Sequence, residues 1–254
     1  MSSAAVTWGL AKRSLMLIPR MPSTFFPSLM MPVFLTISFA GAFSGIVNLP
    51  GFPAETALSW FIPMTTIQGS AFAGVTTGMG MARDFESGFY DRFLASPAPR
   101  SSLIAGPLLA SGARALIPFT LLQVVTVVTG TDLPGGPLGV LSLAVAAVGV
   151  GLVAGAWSVG IALRSKTMEA VPLIQSGMFL GFFLSTAQMP IELLTGWLHA
   201  VARVNPMTNI LALGRQGYLG DVTWATTWPG LVALGGMALV LIAFAARGMR
   251  NVIP

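Results

Sequence analysis

The sequence predicts an all-α, polytopic membrane protein with six transmembrane helices. Hydrophobic residues make up 54% of the 254 positions and charged residues only 8%, whereas a soluble domain carries roughly 25% charged residues. The mean hydropathy is +0.81. The apolar residues are also gathered into six stretches, each about long enough to cross a hydrocarbon core of ~30 Å as a helix.

These six stretches are the predicted transmembrane helices. They cover roughly residues 25–47, 57–81, 103–130, 138–163, 170–189 and 228–246. Pro27 and Pro32 in the first stretch and Pro118 in the third predict kinks, because neighbouring helices can satisfy the backbone groups that a proline frees in a membrane. Residues 1–254 are expected to form a single transmembrane domain.

Residues 1–24 predict a helix that lies in the membrane interface. Trp8, Leu10 and Leu15 alternate there with Lys12 and Arg13, a mixture typical of interfacial amphipathic helices. The segment lacks the apolar core of a signal peptide, so it is expected to be retained.

The charged loop, residues 83–100, separates the second and third stretches. Its density of charge predicts that it faces water, because charged side chains are costly in hydrocarbon. Phe85, Phe89 and Phe93 recur every four residues, which predicts a helix with one aromatic face that ends before Pro97. Two interpretations stay open: a helix on the membrane surface, or one that seats in a groove of a cytosolic protein.

The long connection of residues 190–227 predicts a short helical hairpin on the outer side. An amphipathic helix carrying Glu192 and Trp197 is broken by Asn205 and Pro206, and a second helix carrying Arg215 follows. Tryptophans in this region fit an interfacial belt. The hairpin either gates the outer mouth of a pathway or only caps the bundle, and composition does not choose.

The basic residues predict the orientation, because they gather on the cytoplasmic side of membrane proteins. With the N-terminus inside, only Arg203 and Arg215 fall outside and Arg114 falls within the third stretch. The inner set is Lys12, Arg13, Arg20, Arg83, Arg92, Arg100, Arg164, Lys166, Arg247 and Arg250. The chain is therefore expected in the cell (plasma) membrane with both termini cytoplasmic.

Several kinds of chemistry find no support in the sequence. The chain has no cysteine and one histidine, so thiol catalysis and a metal site are not expected. It has no Walker A phosphate-binding run, and its basic residues are not clustered as in a nucleic-acid-binding arm. Arg114 is the one ionisable candidate within a stretch, and snorkelling to the interface is the favoured interpretation. Energy for transport is expected from a cytosolic ATPase.

Three segments carry motifs in a fixed order along the chain. They are formed by Arg13, Arg20, Pro22 and Pro32; then Arg83, Asp84, Glu86, Gly88, Arg92, Phe93, Ser96, Pro97 and Arg100; then Asn205, Pro206, Met207, Thr208 and Arg215. These motifs resemble those of the permease subunits of type-2 ATP-binding-cassette exporters, the group that includes daunorubicin-resistance permeases. The first motif is similar to the family's entry pattern, and the last is similar to its Asn-Pro-hydrophobic-Thr element.

The resemblance implies export from the cytoplasm by a complex of two permease chains and two cytosolic ATPase subunits. ATP and magnesium would bind to the ATPases, and no cofactor, metal or nucleic acid to this chain. The charged loop would hold the coupling helix that contacts the ATPases, through Arg83, Asp84, Glu86, Gly88, Phe89, Arg92, Phe93, Pro97 and Arg100. Membrane lipid is the remaining partner, and no catalytic residue is expected.

The substrate and two other functions stay open. The nearly uncharged stretches suit an amphiphilic drug, lipid or glycolipid. A membrane scaffold or assembly factor without a transport cycle is one alternative, and an ion-coupled carrier that uses Arg114 is the other.

Overall fold

The computed structural model describes residues 3–16, 22–90 and 99–250, with the backbone alone for 22–29. The described chain contains α-helices and three short 3-10 helices without any strand, which confirms the all-α class. The α-helices are α1 (Ser3–Met16), α2 (Pro22–Ala42), α3 (Ala57–Glu86), α4 (Arg100–Thr129), α5 (Gly136–Ser165), α6 (Val171–Phe183), α7 (Gly196–Val204), α8 (Pro206–Leu219) and α9 (Trp224–Arg250).

Helix α3 lies at the centre, packed against α2, α4, α5 and α8. Its buried positions include Thr65, Thr66 and Ser70, whose hydroxyls donate to carbonyls one turn earlier at 2.9, 2.7 and 2.9 Å. Because the hydroxyls are satisfied within the helix, their burial carries little penalty. They also make α3 more polar than a lipid-facing helix.

Helices lie at all six predicted stretches, but they differ in how well they suit a membrane. In the described part of the chain, α4, α5 and α9 are both long and apolar enough to cross one. Helix α3 is long but more polar, and α6 has only 13 residues, or about 20 Å against a core of ~30 Å. Six crossings therefore stay a prediction.

The predicted fifth stretch, residues 170–189, is wrong in its last third. Helix α6 ends at Phe183, and residues 184–189 form turns and bends. Residues 184–189 contain neither glycine nor proline, so their own preference does not end the helix. Two carbonyls of this segment, those of Thr186 and Ala187, are bound by Arg215 of α8.

Helices α3 and α5 approach so closely that backbone touches backbone. A Cβ added at Gly78 would lie 2.4 Å from the carbonyl carbon of Ser158, and one added at Gly74 would lie 2.3 Å from the carbonyl oxygen of Gly151. The Gly78 N–H also donates to Ser158 Oγ at 3.1 Å. The Gly151 and Gly155 pair packs against Ser111 of α4, so small residues join three helices as they do in membrane bundles.

The outer surface of the bundle is apolar and suits contact with lipid. The exposed side chains include Phe34 of α2, Val127 of α4, Leu180 of α6 and Leu239 of α9. Only 17% of the most apolar window of α9 is buried, compared with 56% for α5. Exposure of this kind in a soluble protein would cause aggregation, so the surface fits a membrane-embedded protein.

Candidate functional site

The first candidate site joins the C-terminal ends of α1 and α3. Arg13 of α1 donates from both terminal guanidinium nitrogens to the two carboxylate oxygens of Asp84, at 2.9 and 3.0 Å. The same guanidinium lies 4.4 Å from the ring centroid of Phe89. Two parallel bonds fix the orientation of the pair as well as its distance. Arg13, Asp84 and Phe89, which the sequence singled out separately, therefore meet at one place.

A second contact joins the end of α3 to the start of α6. The carboxylate of Glu86 accepts a hydrogen bond of 2.7 Å from the backbone N–H of Met168. Met168 begins the 3-10 helix Met168–Ala170, which leads directly into α6. A carboxylate is stabilised there because helix N-termini present unpaired N–H groups and a partial positive charge.

The predicted helical face of Phe85, Phe89 and Phe93 is wrong where it can be followed. Helix α3 ends at Glu86, and Gly88 adopts a positive φ of 66°. That conformation favours glycine and turns the chain, so Phe85 and Phe89 do not share one continuous helix. Phe85 instead packs on Tyr90 with 4.2 Å between ring centroids. Burial raises the pKa of the Tyr90 phenol above its usual range.

The remaining predicted inner residues divide into two groups. Arg83 and Arg100 are exposed, and Arg100 is the first residue of α4. Pro22 begins α2. Arg20, Arg92, Phe93 and Pro97 lie outside the described residues.

Helix α1 runs alongside the first half of α4 in the same direction. Near its start, the hydroxyls of Ser3 and Ser102 lie 2.9 Å apart. Farther along, Gly106 lets α1 come so close that an added Cβ would lie 2.6 Å from the Cβ of Leu10. At its end, Arg114 donates to the carbonyl of Ser14, one of the last carbonyls of α1, which lack partners within the helix.

Arg114 is buried and joins α4 to α1 and α3 through hydrogen bonds. It is 7% exposed, and it also bonds the hydroxyls of Thr76 and Thr77 on α3 at 3.2 and 3.4 Å. The snorkelling interpretation required a guanidinium in water and is therefore wrong. Its recorded partners are a carbonyl and two hydroxyls, which suit a cation at a helix C-terminus.

We expect Arg114→Gln to loosen α1 without unfolding the bundle. A hydrogen bond from a charged group contributes about 1.5–3 kcal/mol, so exchange of the α1 amides should speed up by roughly tenfold or more. Hydrogen–deuterium exchange of residues 3–16 measures this. Arg247→Gln removes an exposed charge on α9 and serves as the control. Equal exchange rates in both variants would show that Arg114 does not hold α1 in place.

The second candidate site is the outer hairpin. There Asn205 and the residues next to it hydrogen-bond the end of α6, the end of α7 and the start of α8. Its side-chain oxygen accepts from Met207 N at 2.9 Å, capping α8, and its amide donates to the carbonyls of Gly181 and Leu184 at 2.8 Å each. Pro206 is the first residue of α8, where a missing N–H costs nothing. Thr208 donates to the Ala202 carbonyl at 2.7 Å, near the end of α7.

Arg215 lies behind this cap and is fully enclosed. It is 2% exposed, and its guanidinium carbon lies 3.7 Å from the ring centroid of Trp60. Its three nitrogens donate to backbone carbonyls: Nε to Trp60 at 3.3 Å, one terminal nitrogen to Thr186 at 2.6 Å, and the other to Ala187.

The other predicted outer residues are not part of this cluster. Glu192 and Trp197 are exposed. Trp60 and Met168 were missed by the sequence reasoning. Trp60 looks like any interfacial tryptophan, and Met168 takes part only through its backbone N–H, which no sequence pattern marks. Within residues 3–16, 22–90 and 99–250, no three histidine or carboxylate side chains gather into a metal-binding group.

Comparisons with known proteins indicate the family of the chain. Residues 5–219 match the ABC-2 type transporter family. A daunorubicin resistance ABC transporter permease protein of Streptomyces coeruleorubidus is 24% identical over 243 residues, covering 94% of this chain and 84% of that protein. A putative transport permease, ycf38, of Pyropia yezoensis is 28% identical over 255 residues, covering 92% and 82%.

The match spans both the contacts around Asp84 and Glu86 and the helix cap around Asn205. The helices that carry these contacts present the apolar surface of a membrane-embedded protein. The chain therefore belongs to the ABC-2 type transporter family, as a membrane subunit of an ABC-type transporter.

Proposed function

We propose that this chain is the membrane-spanning subunit of an ATP-driven exporter, with six crossings and both termini in the cytoplasm. It works with a second permease chain and two cytosolic ATPase subunits in the plasma membrane. The ATPases bind ATP and magnesium, and this chain binds no cofactor. Family membership supports the association with ATPase subunits, and the excess of basic residues on one side supports the orientation.

One observation supports coupling at the charged loop. From the end of α3, Asp84 reaches α1 through Arg13, and Glu86 reaches the start of α6 through Met168. An ATPase that displaces residues 83–100 therefore acts on three helices together. Elements that move as a unit are the usual means by which a local event is transmitted across a protein.

The proposed substrate is an amphiphilic drug, lipid or glycolipid. The apolar surface of the helices supports a compound that partitions into membranes. The relative from Streptomyces coeruleorubidus is named for daunorubicin resistance, and an amphiphilic drug of that type is a reasonable first probe.

The geometry does not favour a carrier that uses Arg114, because its recorded partners tie α1 to α3 and α4. Copurification with a tagged chain tests the proposal against a scaffold. We expect a nucleotide-binding ATPase among the bound subunits. Recovery of the intact permease with other proteins but no ATPase would contradict an ATP-driven exporter.

We expect Glu86→Lys to uncouple ATP hydrolysis from export. The change replaces a hydrogen-bond acceptor with a cation at the N-terminus of the segment leading into α6, where positive charge is unfavourable. Loss of a charge-assisted bond of about 1.5–3 kcal/mol corresponds to roughly a tenfold or greater fall in coupled export. ATP hydrolysis and daunorubicin efflux are measured on the same membrane vesicles.

Two variants control this measurement. Glu86→Gln keeps an acceptor for Met168 N and should retain most of the export. Glu192→Lys makes the same charge reversal on the exposed outer hairpin and should not uncouple. Full export by Glu86→Lys would remove the role given to this contact.

A further inference from the structure

A run of backbone carbonyls at the outer end of α6 is held by side chains distant in sequence. We name residues 184–188 the outer carbonyl segment. Asn205 binds the carbonyl of Leu184, and Arg215 binds those of Thr186 and Ala187. The indole N–H of Trp60 donates to the carbonyl of Gln188 at 3.0 Å. Every one of these donors comes from outside α6.

The outer carbonyl segment could itself be helical. Residues 184–189 contain no helix-breaking residue, and Pro190 is the first one after Phe183. Continued to Met189, α6 would gain six residues, or about 9 Å, and would then match a core of ~30 Å. The observed form is therefore one of two that the sequence allows.

The two forms satisfy the carbonyls differently. In a continued helix, the carbonyls of Leu184 and Ser185 would bond to the N–H groups four residues later. The carbonyl of Thr186 would meet Pro190, which has no N–H. The last carbonyls of the longer helix would need water or an outside donor. In the observed form Thr186 and Ala187 are buried, at 7% and 0% exposure, and among the described residues Arg215 is the donor that pairs their carbonyls.

We propose that Arg215 and Trp60 are positioning residues that hold the outer carbonyl segment unwound, and that its alternative form is a helical extension of α6 through Met189. The extension moves the hairpin that begins at Ile191. This assignment rests on the proposed function only in placing the change at the outer end of a transport path. The contacts of Arg215 and Trp60 with the outer carbonyl segment lie entirely within this chain.

Arg215 is suited to this task by its chemistry. A planar guanidinium presents several donors in fixed directions and stacks on aromatic rings. Here one face lies on Trp60 while three nitrogens point at carbonyl oxygens. Backbone carbonyl oxygens are hydrogen-bond acceptors, and bonds to them from a charged donor are stronger than bonds from a neutral one. Without the guanidinium, the observed form would bury unpaired carbonyls, and the extended form would carry them toward water.

The test measures a distance in the full chain. Because the chain has no cysteine, Glu192→Cys and Asp132→Cys introduce a single pair of spin labels at exposed outer positions. Pulsed electron–electron resonance in lipid nanodiscs, without ATPase, gives the distance distribution. We expect one population with Arg215 and a second one in Arg215→Gln, displaced by up to about 9 Å. An unchanged distribution overturns the proposal.

Matched variants keep the test decisive. Arg203→Gln removes an exposed charge from the same hairpin and should leave one population. Trp60→Phe keeps an aromatic face but loses the donor to Gln188, so it should show the second population at a smaller fraction. If Arg215→Gln fails to assemble, an unchanged Trp60→Phe distribution overturns the proposal. Since no ATPase is present, a negative result here leaves the copurification test of the exporter unaffected.

Discussion

Gly78→Leu is expected to prevent assembly of the helix bundle. A Cβ at this position would lie 2.4 Å from the carbonyl carbon of Ser158, and the oxygen is 2.5 Å away. Backbone atoms cannot rotate aside, so relief requires α3 and α5 to separate. Overpacking costs about 1–3 kcal/mol where side chains can adjust, and this site offers less room. We expect at least a roughly tenfold loss of monodisperse protein.

Size-exclusion chromatography of a fluorescently tagged chain measures that loss. Gly80→Leu is the matched control, because Gly80 lies in the same helix and an added Cβ meets nothing within 4 Å. The two variants carry the same side chain and have the same effect on helix propensity. Equal yields would show that the close crossing of α3 and α5 does not limit assembly.

Asn205→Asp is expected to destabilise the outer hairpin strongly. The carboxylate can still accept from Met207 N, but it can no longer donate to the carbonyls of Gly181 and Leu184. Each of these part-buried carbonyls costs up to about 1–3 kcal/mol when it is left unpaired, and the negative charge faces both oxygens. The new carboxylate also interacts favourably with the N-terminus of α8, but this stabilises the protein by only about 0.3–1 kcal/mol.

The net loss of about 3 kcal/mol should lower the melting temperature by roughly 8 °C. Thermal unfolding of the solubilised protein, followed by size-exclusion chromatography, checks this. Asn209→Asp makes the same chemical change at an exposed position of α8. Matching melting temperatures for the two variants would show that the amide donors of Asn205 are not essential to the cap.

Local patterns predicted the helices well where the cause is local. The break at Asn205 and Pro206 is a cap followed by a residue without an N–H, and both signals lie in the sequence itself. The turn at Gly88 could also have been found, because a glycine after a helix often adopts the left-handed conformation. The regular spacing of phenylalanines was given more weight than that glycine.

Contacts between distant residues could not be predicted from one sequence. Arg13 and Asp84 were both selected as functional residues, but nothing in either segment indicates that they pair. The turn that follows α6 is bound by Arg215, which lies on α8, beyond α7 in the chain. Arg114 was expected in water because its burial depends on the carbonyl of Ser14, far away in sequence.

The exposed face of α9 restricts its side chains less than the packed faces of the bundle do. The family match ends at residue 219, before α9 begins at Trp224, and outward side chains such as Leu239 and Val240 are 74% and 64% exposed. A position that touches only acyl chains must be oily but need not have a particular shape. Leu, Ile, Val and Phe are therefore physically interchangeable along that side, while Leu234, which fits against Gly149, is held to its size.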